Sequence, residues 1–285
     1  MDNRVIVMQP VQKKHLFASL FLGTALCVFG TSAQAEQASV KAVFDVSMAG
    51  VSIGKGNLTA NLNSQGYSIG VAAKVTGIAR VISSGEGTAT AQGRLTGHNL
   101  VPISYGINNT VDTLKNSVSL RMKNNLIVNE SVIPPTPYNA ARVPVTDAVK
   151  RGVIDPLSAF LVPSEGDTPL SAENCNRTLK IYDGRQRYDI AMAYGRTEQV
   201  QSVGDLGGSS LVCKAAWRPI AGHKAENAET SHMEENRDVE ATLTPIAGTP
   251  YLMISRITVG TSFGKLIINA KRVSVMHGQQ ASLEE

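Results

Sequence analysis

Four carboxylates, Asp155, Asp183, Asp189 and Glu198, are the side chains of this chain with the right type for paired acid and base work such as glycoside hydrolysis. Local sequence already gives two of them another task. Asp155 stands before Pro156, where an acid caps a helix start, and Asp183 precedes Gly184, a pair suited to a tight turn. The histidines that follow the N-terminal apolar run, His98, His223, His232 and His277, lack the spacing of a zinc site, and His232-Met233-Glu234-Glu235 is missing its second histidine. A serine nucleophile would sit in a G-x-S-x-G elbow, and the nearest match, Gly207-Gly208-Ser209-Ser210, reads as a hairpin loop. Gly50 to Gly56 lacks the glycine order of a nucleotide cradle, and no Asp-x-Asp-x-Asp-Gly calcium loop occurs. The sequence therefore assigns no catalytic residue, no metal ligand and no cofactor, and the chain reads as a non-enzyme; the alternative is a hydrolase whose acids converge only on folding.

Cysteine chemistry depends on where the chain is delivered. Lys13, Lys14 and His15 precede an apolar run from Leu16 to Phe29, and Ala33-Gln34-Ala35 follows as an A-x-A cleavage site. Gly23, Thr24 and Gly30 dilute a run already shorter than the ~20 apolar residues of a membrane span, so residues 1–35 read as a signal peptide cleaved after Ala35. Cys27 leaves with it; Leu26 before it is too large for a lipoprotein signal. Of three cysteines, Cys175 and Cys213 remain, without C-x-x-C spacing, and in an oxidising compartment they are expected to form a structural disulfide.

The elements that hold these groups have a period of two. Val40, Ala42, Phe44, Val46 and Met48 alternate with polar residues; after a turn at Gly50, so do Gly54, Gly56, Leu58, Ala60 and Leu62, and then Tyr67, Ile69, Val71, Ala73 and Val75. Thr88, Thr90, Gln92 and Arg94 mark the wet side of the next strand. Further on, Leu179 and Ile181 lead into the Asp183-Gly184 hairpin, and Leu211, Cys213, Ala215 and Trp217 share one face. About 12 to 15 strands are expected. One short helix of about two turns is predicted over Asp155–Leu161, with a further turn at Ile78, Val81 and Ile82. Pro134, Pro135, Pro137 and Pro144 make an extended surface connector, while Ala221 to Asn236 and Gly204 to Ser210 read as exposed loops. With few phenylalanines, the interior falls to Val, Ile, Leu, Ala and Met. The fold class is all-β: an extended antiparallel sheet rolled into a spiral or open barrel, as a single domain over residues 36–285.

Composition narrows function by exclusion. A formal net charge of +4, spread along the chain, is too weak a footprint for nucleic acid, and 5% aromatic content leaves few stacking platforms for sugars or single strands. A wide sheet lined by small aliphatic side chains has the makings of an apolar cleft. At Gly152-Val153-Ile154-Asp155-Pro156-Leu157-Ser158-Ala159, Leu179-Lys180-Ile181-Tyr182-Asp183-Gly184-Arg185 and the Tyr67–Gly77 alternation, the chain resembles the DUF3108 family of secreted, mostly proteobacterial proteins. Its general layout is also similar to that of β-spiral envelope-integrity proteins. The resemblance implies a periplasmic, envelope-associated protein. The expectation is a protein peripheral to the membrane at most that contributes to envelope maintenance by binding an envelope lipid, lipoprotein or protein partner through a curved sheet.

Overall fold

The structure is a computed structural model that describes residues 37–278 apart from 82, 97–98 and 166–167. The expected signal peptide with Cys27, together with Ile82 and His98, lies outside the described residues. Fourteen strands are present among them: β1 (Ala38–Met48), β2 (Val51–Leu62), β3 (Gly66–Val75), β4 (Gly85–Thr96), β5 (Asn99–Val111), β6 (Leu114–Lys123), β7 (Leu126–Ile133), β8 (Leu161–Pro163), β9 (Thr178–Tyr182), β10 (Arg187–Val200), β11 (Gly208–Ala221), β12 (Val239–Pro245), β13 (Tyr251–Thr261) and β14 (Gly264–His277). They form one antiparallel sheet in the order β7-β6-β5-β4-β3-β2-β1-β14-β13-β12-β11-β10-β9, with β8 added on β13. Sequence neighbours pair almost throughout. The exceptions are β8 with β13 and β1 with β14, the latter bringing the two ends of the described chain side by side.

Alternation sets the inward face. Val40, Ala60, Ile69, Ala91, Tyr105 and Leu120 are opposite one another along one row that crosses six strands, and all are buried. Val118 and Met122 extend the same face. This aliphatic core is completed by tyrosines, Tyr67, Tyr105 and Tyr182, rather than phenylalanines; among the described residues Phe44 alone of that type is buried. A second cluster, Val162, Met192, Leu211, Leu243, Leu252 and Ile254, surrounds Cys175 and Cys213. The two cysteines are bonded, with Cα atoms 5.4 Å apart. The bridge pins the segment after β8, whose Asn174 side chain is fully buried: Oδ1 accepts from Glu165 N–H (2.7 Å) and Nδ2 donates to the Pro169 carbonyl (3.0 Å).

The sheet rolls but its hydrogen-bond ladder does not close. β7 and β9, the end strands, do not pair; the connector lies between them. Arg151 bridges to Leu126 of β7, Val153 N–H donates to the Asn125 carbonyl (3.0 Å), and Ile154 exchanges bonds with β9 through Lys180 and Tyr182. Side chains reinforce this junction: the Tyr182 hydroxyl donates to Glu130 (2.8 Å), and Lys150 pairs with the same carboxylate (2.7 Å). In β6, Val118 packs against the β9–β10 turn so closely that a Cβ on Gly184 would lie 2.4 Å from it. Gly184 also takes a φ of +94°, which glycine adopts without strain.

Three expectations are corrected. The predicted two-turn helix over Asp155–Leu161 is one 3-10 turn, Ser158–Phe160, because Leu161–Pro163 is drawn out as β8 to pair with β13. The helix lies instead in the stretch expected to be a loop: α1 (Ala228–Glu235) is capped by Asn227, whose Oδ1 accepts from Glu229 and Thr230 N–H. It has no buried residue, hence no apolar period to betray it. Gly204 to Ser210 is not an exposed loop either. Leu206 is buried, Ser210 belongs to β11, and the Val203–Asp205 backbone bonds to Val273 of β14, covering the edge that β13 leaves.

Candidate functional site

The four acids singled out by type each have a local partner. Asp155 is fully buried; its Oδ1 accepts from Leu157 N–H (3.0 Å) and Ser158 N–H (2.9 Å), and its Oδ2 from the Ser158 hydroxyl (2.5 Å). With its proton on Asp155, Ser158 Oγ is the acceptor for the Tyr67 hydroxyl at 2.6 Å. The array Tyr67, Ser158, Asp155 thus ties β3 to the connector. It contains no imidazole to act as base, so Ser158 is a strut between strands. Burial pushes the Asp155 carboxyl above the usual carboxylate range despite these bonds. Asp183 is raised for the same reason, and its Oδ1 accepts from Arg185 and Gln186 N–H at 2.7 Å each. The two acids reach the same part of the interior: after burial, both contribute to holding the Tyr105 and Tyr188 hydroxyls above the ordinary tyrosine value. Asp189 pairs with Arg187 (2.6 Å) and Glu198 with Arg196 (2.9 Å). Among the described residues no hydrogen bond joins two of these acids.

His223 is on the loop after β11, His232 on exposed α1 and His277 at the end of β14, so folding does not gather them. Among the described residues no group of three or more His, Cys, Asp or Glu is placed to hold a metal.

The feature that residue-type reasoning missed is made of glycine and valine. Inward rows near one end of the sheet run Val46, Gly54, Val75 and then Gly85, Val111; one layer deeper they run Phe44, Gly56, Ala73, Gly87, Asn109. Where neighbouring layers are filled by Leu58, Ile69 or Leu120, these rows have hydrogen or methyl in several places. The result is a trough of about 400 Å³, walled by Val46, Val71, Val75, Ala89, Ile107 and Val111 over a floor that includes Gly54, Gly85 and Gly87. It is almost wholly apolar. Asn109 supplies a polar group at its wall, and the Oδ1 of that side chain is buried with no partner.

The trough opens at the rim formed by four hairpin tips, β1–β2, β3–β4, β5–β6 and β13–β14. Contacts between tips confirm their adjacency: Ala49 N–H donates to Lys265 carbonyl (3.0 Å), Thr76 N–H to Ile53 carbonyl (2.9 Å) and Asp112 N–H to Ser84 carbonyl (2.8 Å). This rim carries large exposed apolar residues, Val51, Ile78, Val81, Val111, Leu114 and Phe263, with Val81 86% and Phe263 82% accessible. Concentrated apolar exposure of this kind marks a binding or membrane-facing edge. Glycines at alternate positions on the inward faces of two strands were the available signal; that they align into one hollow depends on register.

A family model described as "Protein of unknown function (DUF3108)" matches residues 43–267. No curated protein matches the chain. Among solved structures, the chain is similar to one titled "Crystal Structure of Beta-barrel-like Protein of Domain of Unknown Function DUF1849 from Brucella abortus", with a TM-score of 0.47 and 9% identity over 84% of this chain and 98% of that one. A likeness at that distance transfers no site.

Proposed function

We propose, for a chain that belongs to the DUF3108 family, that it is an exported periplasmic protein without enzymatic activity whose rolled sheet receives an apolar chain of an envelope lipid or lipoprotein. The observation that supports this reading is the apolar trough with a glycine floor, open at a rim of exposed apolar side chains. A mixed-function site would combine such a hollow with convergent polar groups, whereas here the wall is aliphatic almost throughout. Transfer of an acyl chain from water into it gains roughly 0.8 kcal/mol for each methylene buried, so micromolar binding, after an association cost of at least about 4 kcal/mol, needs on the order of 15 methylenes, the length of a fatty acyl chain. The signal peptide supplies the address, and the Cys175–Cys213 bridge is consistent with an oxidising compartment.

The test is extraction. Protein purified natively from cells is expected to start at Glu36 and to carry acyl-bearing mass by native mass spectrometry. Ala73, exposed on the inward face, lies between Gly56 and Gly87 in the register, so Ala73→Phe fills the trough in a strand position that favours aromatics. That variant is expected to lose the bound mass while keeping its circular dichroism spectrum and melting temperature. Wild-type protein that is free of lipid and ignores a fluorescent acyl probe would overturn the reading.

A further inference from the structure

The opposite face of the same strands carries a larger hollow of different chemistry. Its volume is about 650 Å³, and Lys55, Lys74 and Lys115 line it together with amides and hydroxyls such as Asn57, Thr88 and Asn108. Lys55 and Lys74 are directly opposite in the β2–β3 register. Like charges in that position repel and give the sheet nothing. None of the three lysines makes an ion pair among the described residues. The carboxylates nearby do not remove the excess. Glu86, opposite Lys74, is the one acid in the lining, and Asp45, opposite Lys55 on β1, accepts a hydrogen bond from the Ser52 hydroxyl at 2.6 Å. Three lysines against Glu86 in the lining and Asp45 beside Lys55 leave this face with an excess of one positive charge.

From this arrangement we infer that the outward face of β2–β6 is a binding site for a phosphate-bearing, hydroxyl-rich group. Lysine ammonium groups bind phosphate as point charges, and the surrounding side-chain amides and hydroxyls are donors and acceptors for neighbouring hydroxyls. The site stands apart from the trough: it is on the other side of the sheet, and its occupation does not require an acyl chain. A phosphorylated polyol reaches it either as a free solute or as the headgroup of a lipid at a membrane surface.

The experiment follows backbone amide shifts of the purified full-length mature protein in three titrations: inorganic phosphate, glycerol 3-phosphate, and phosphatidylcholine vesicles with or without phosphatidylglycerol. The variant is Lys55→Gln with Lys74→Gln, both exposed, so folding is retained; Val75→Phe, at a residue that lines the trough and not this hollow, serves as the control. Shifts confined to β2–β6 with a free phosphate ligand, weakened about tenfold or more in the double variant and by salt, support the site with a soluble ligand. Binding only to vesicles containing phosphatidylglycerol, lost in the double variant, supports a lipid headgroup. Both results are expected to survive in Val75→Phe, which separates this site from the trough. No binding in any titration, or equal binding by the double variant, overturns the inference.

Discussion

Removing the Cys175–Cys213 bridge is the perturbation whose size follows most directly from the fold. The cysteines are 38 residues apart in sequence, and closing a loop of that length in the unfolded chain corresponds to about 4 kcal/mol of native stability at 25 °C. That is a large share of the roughly 5–15 kcal/mol expected for a whole domain. Both residues are fully buried in the second apolar cluster, so serine would place unpaired hydroxyls there; alanine at both positions is the cleaner change and adds about 1 kcal/mol per site for the lost sulfur. Equilibrium urea unfolding of the wild type, the reduced wild type and the Cys175→Ala, Cys213→Ala variant should give a loss near 4 kcal/mol on reduction and somewhat more in the variant. The denaturant slope should rise, because the unlinked unfolded chain exposes more surface. Hydrogen exchange should locate the effect, with amides of residues 168–177 quickening while those of β1–β6 keep their protection. A loss below about 1 kcal/mol in both samples with an unchanged slope would refute the argument that the bridge acts by constraining this loop.

Three further perturbations test the interior and the closing junction. Gly93→Ala places a Cβ 2.5 Å from the Tyr67 ring, which its bond to Ser158 prevents from moving away; a loss of about 1–3 kcal/mol is expected, recovered in part when Tyr67→Leu is added, and an unchanged melting temperature would contradict it. Asp155 and Asp183 have folded values raised above 3.8, so the stability they contribute is present below that pH and is lost as pH rises through their folded values; Glu240, lowered to about 2 by hydrogen bonds from Arg196 and Lys214, contributes stability above 4.5 that is lost on acidification. Asp155→Asn should therefore flatten the decline in melting temperature as pH rises above 3.8, and a variant that tracks the wild type through that rise would show the assignment to be mistaken. Glu130→Ala removes the acceptor shared by Tyr182 and Lys150 and should cost about 1 kcal/mol, read as faster exchange in β7 and β9 together; protection unchanged in either strand would count against a shared junction.

What the sequence disclosed was local, and what it concealed was relational. The β1 to β4 alternations were legible because each has one dry face, and the β9–β10 hairpin because Asp183 and Gly184 suit its turn. The cysteine pairing followed from number and compartment. α1 escaped because every side chain on it is left unburied, and the Leu206 plug because one apolar residue among glycines and serines has no period. Gly54 and Gly56 were read as inward positions, yet their emptiness matters only because Gly85 and Gly87 lie in the same rows two strands away. The opposition of Lys55 to Lys74 likewise exists only in the paired register.

The connector between β7 and β9 leaves the perimeter of this sheet unfixed by strand pairing. A fully laddered barrel has its girth fixed by strand number and stagger. Here the last junction is a few residues of intervening chain, held by two isolated bridges and one shared carboxylate. Unfastening that seam would widen the interior for a bulky guest and leave every hairpin intact.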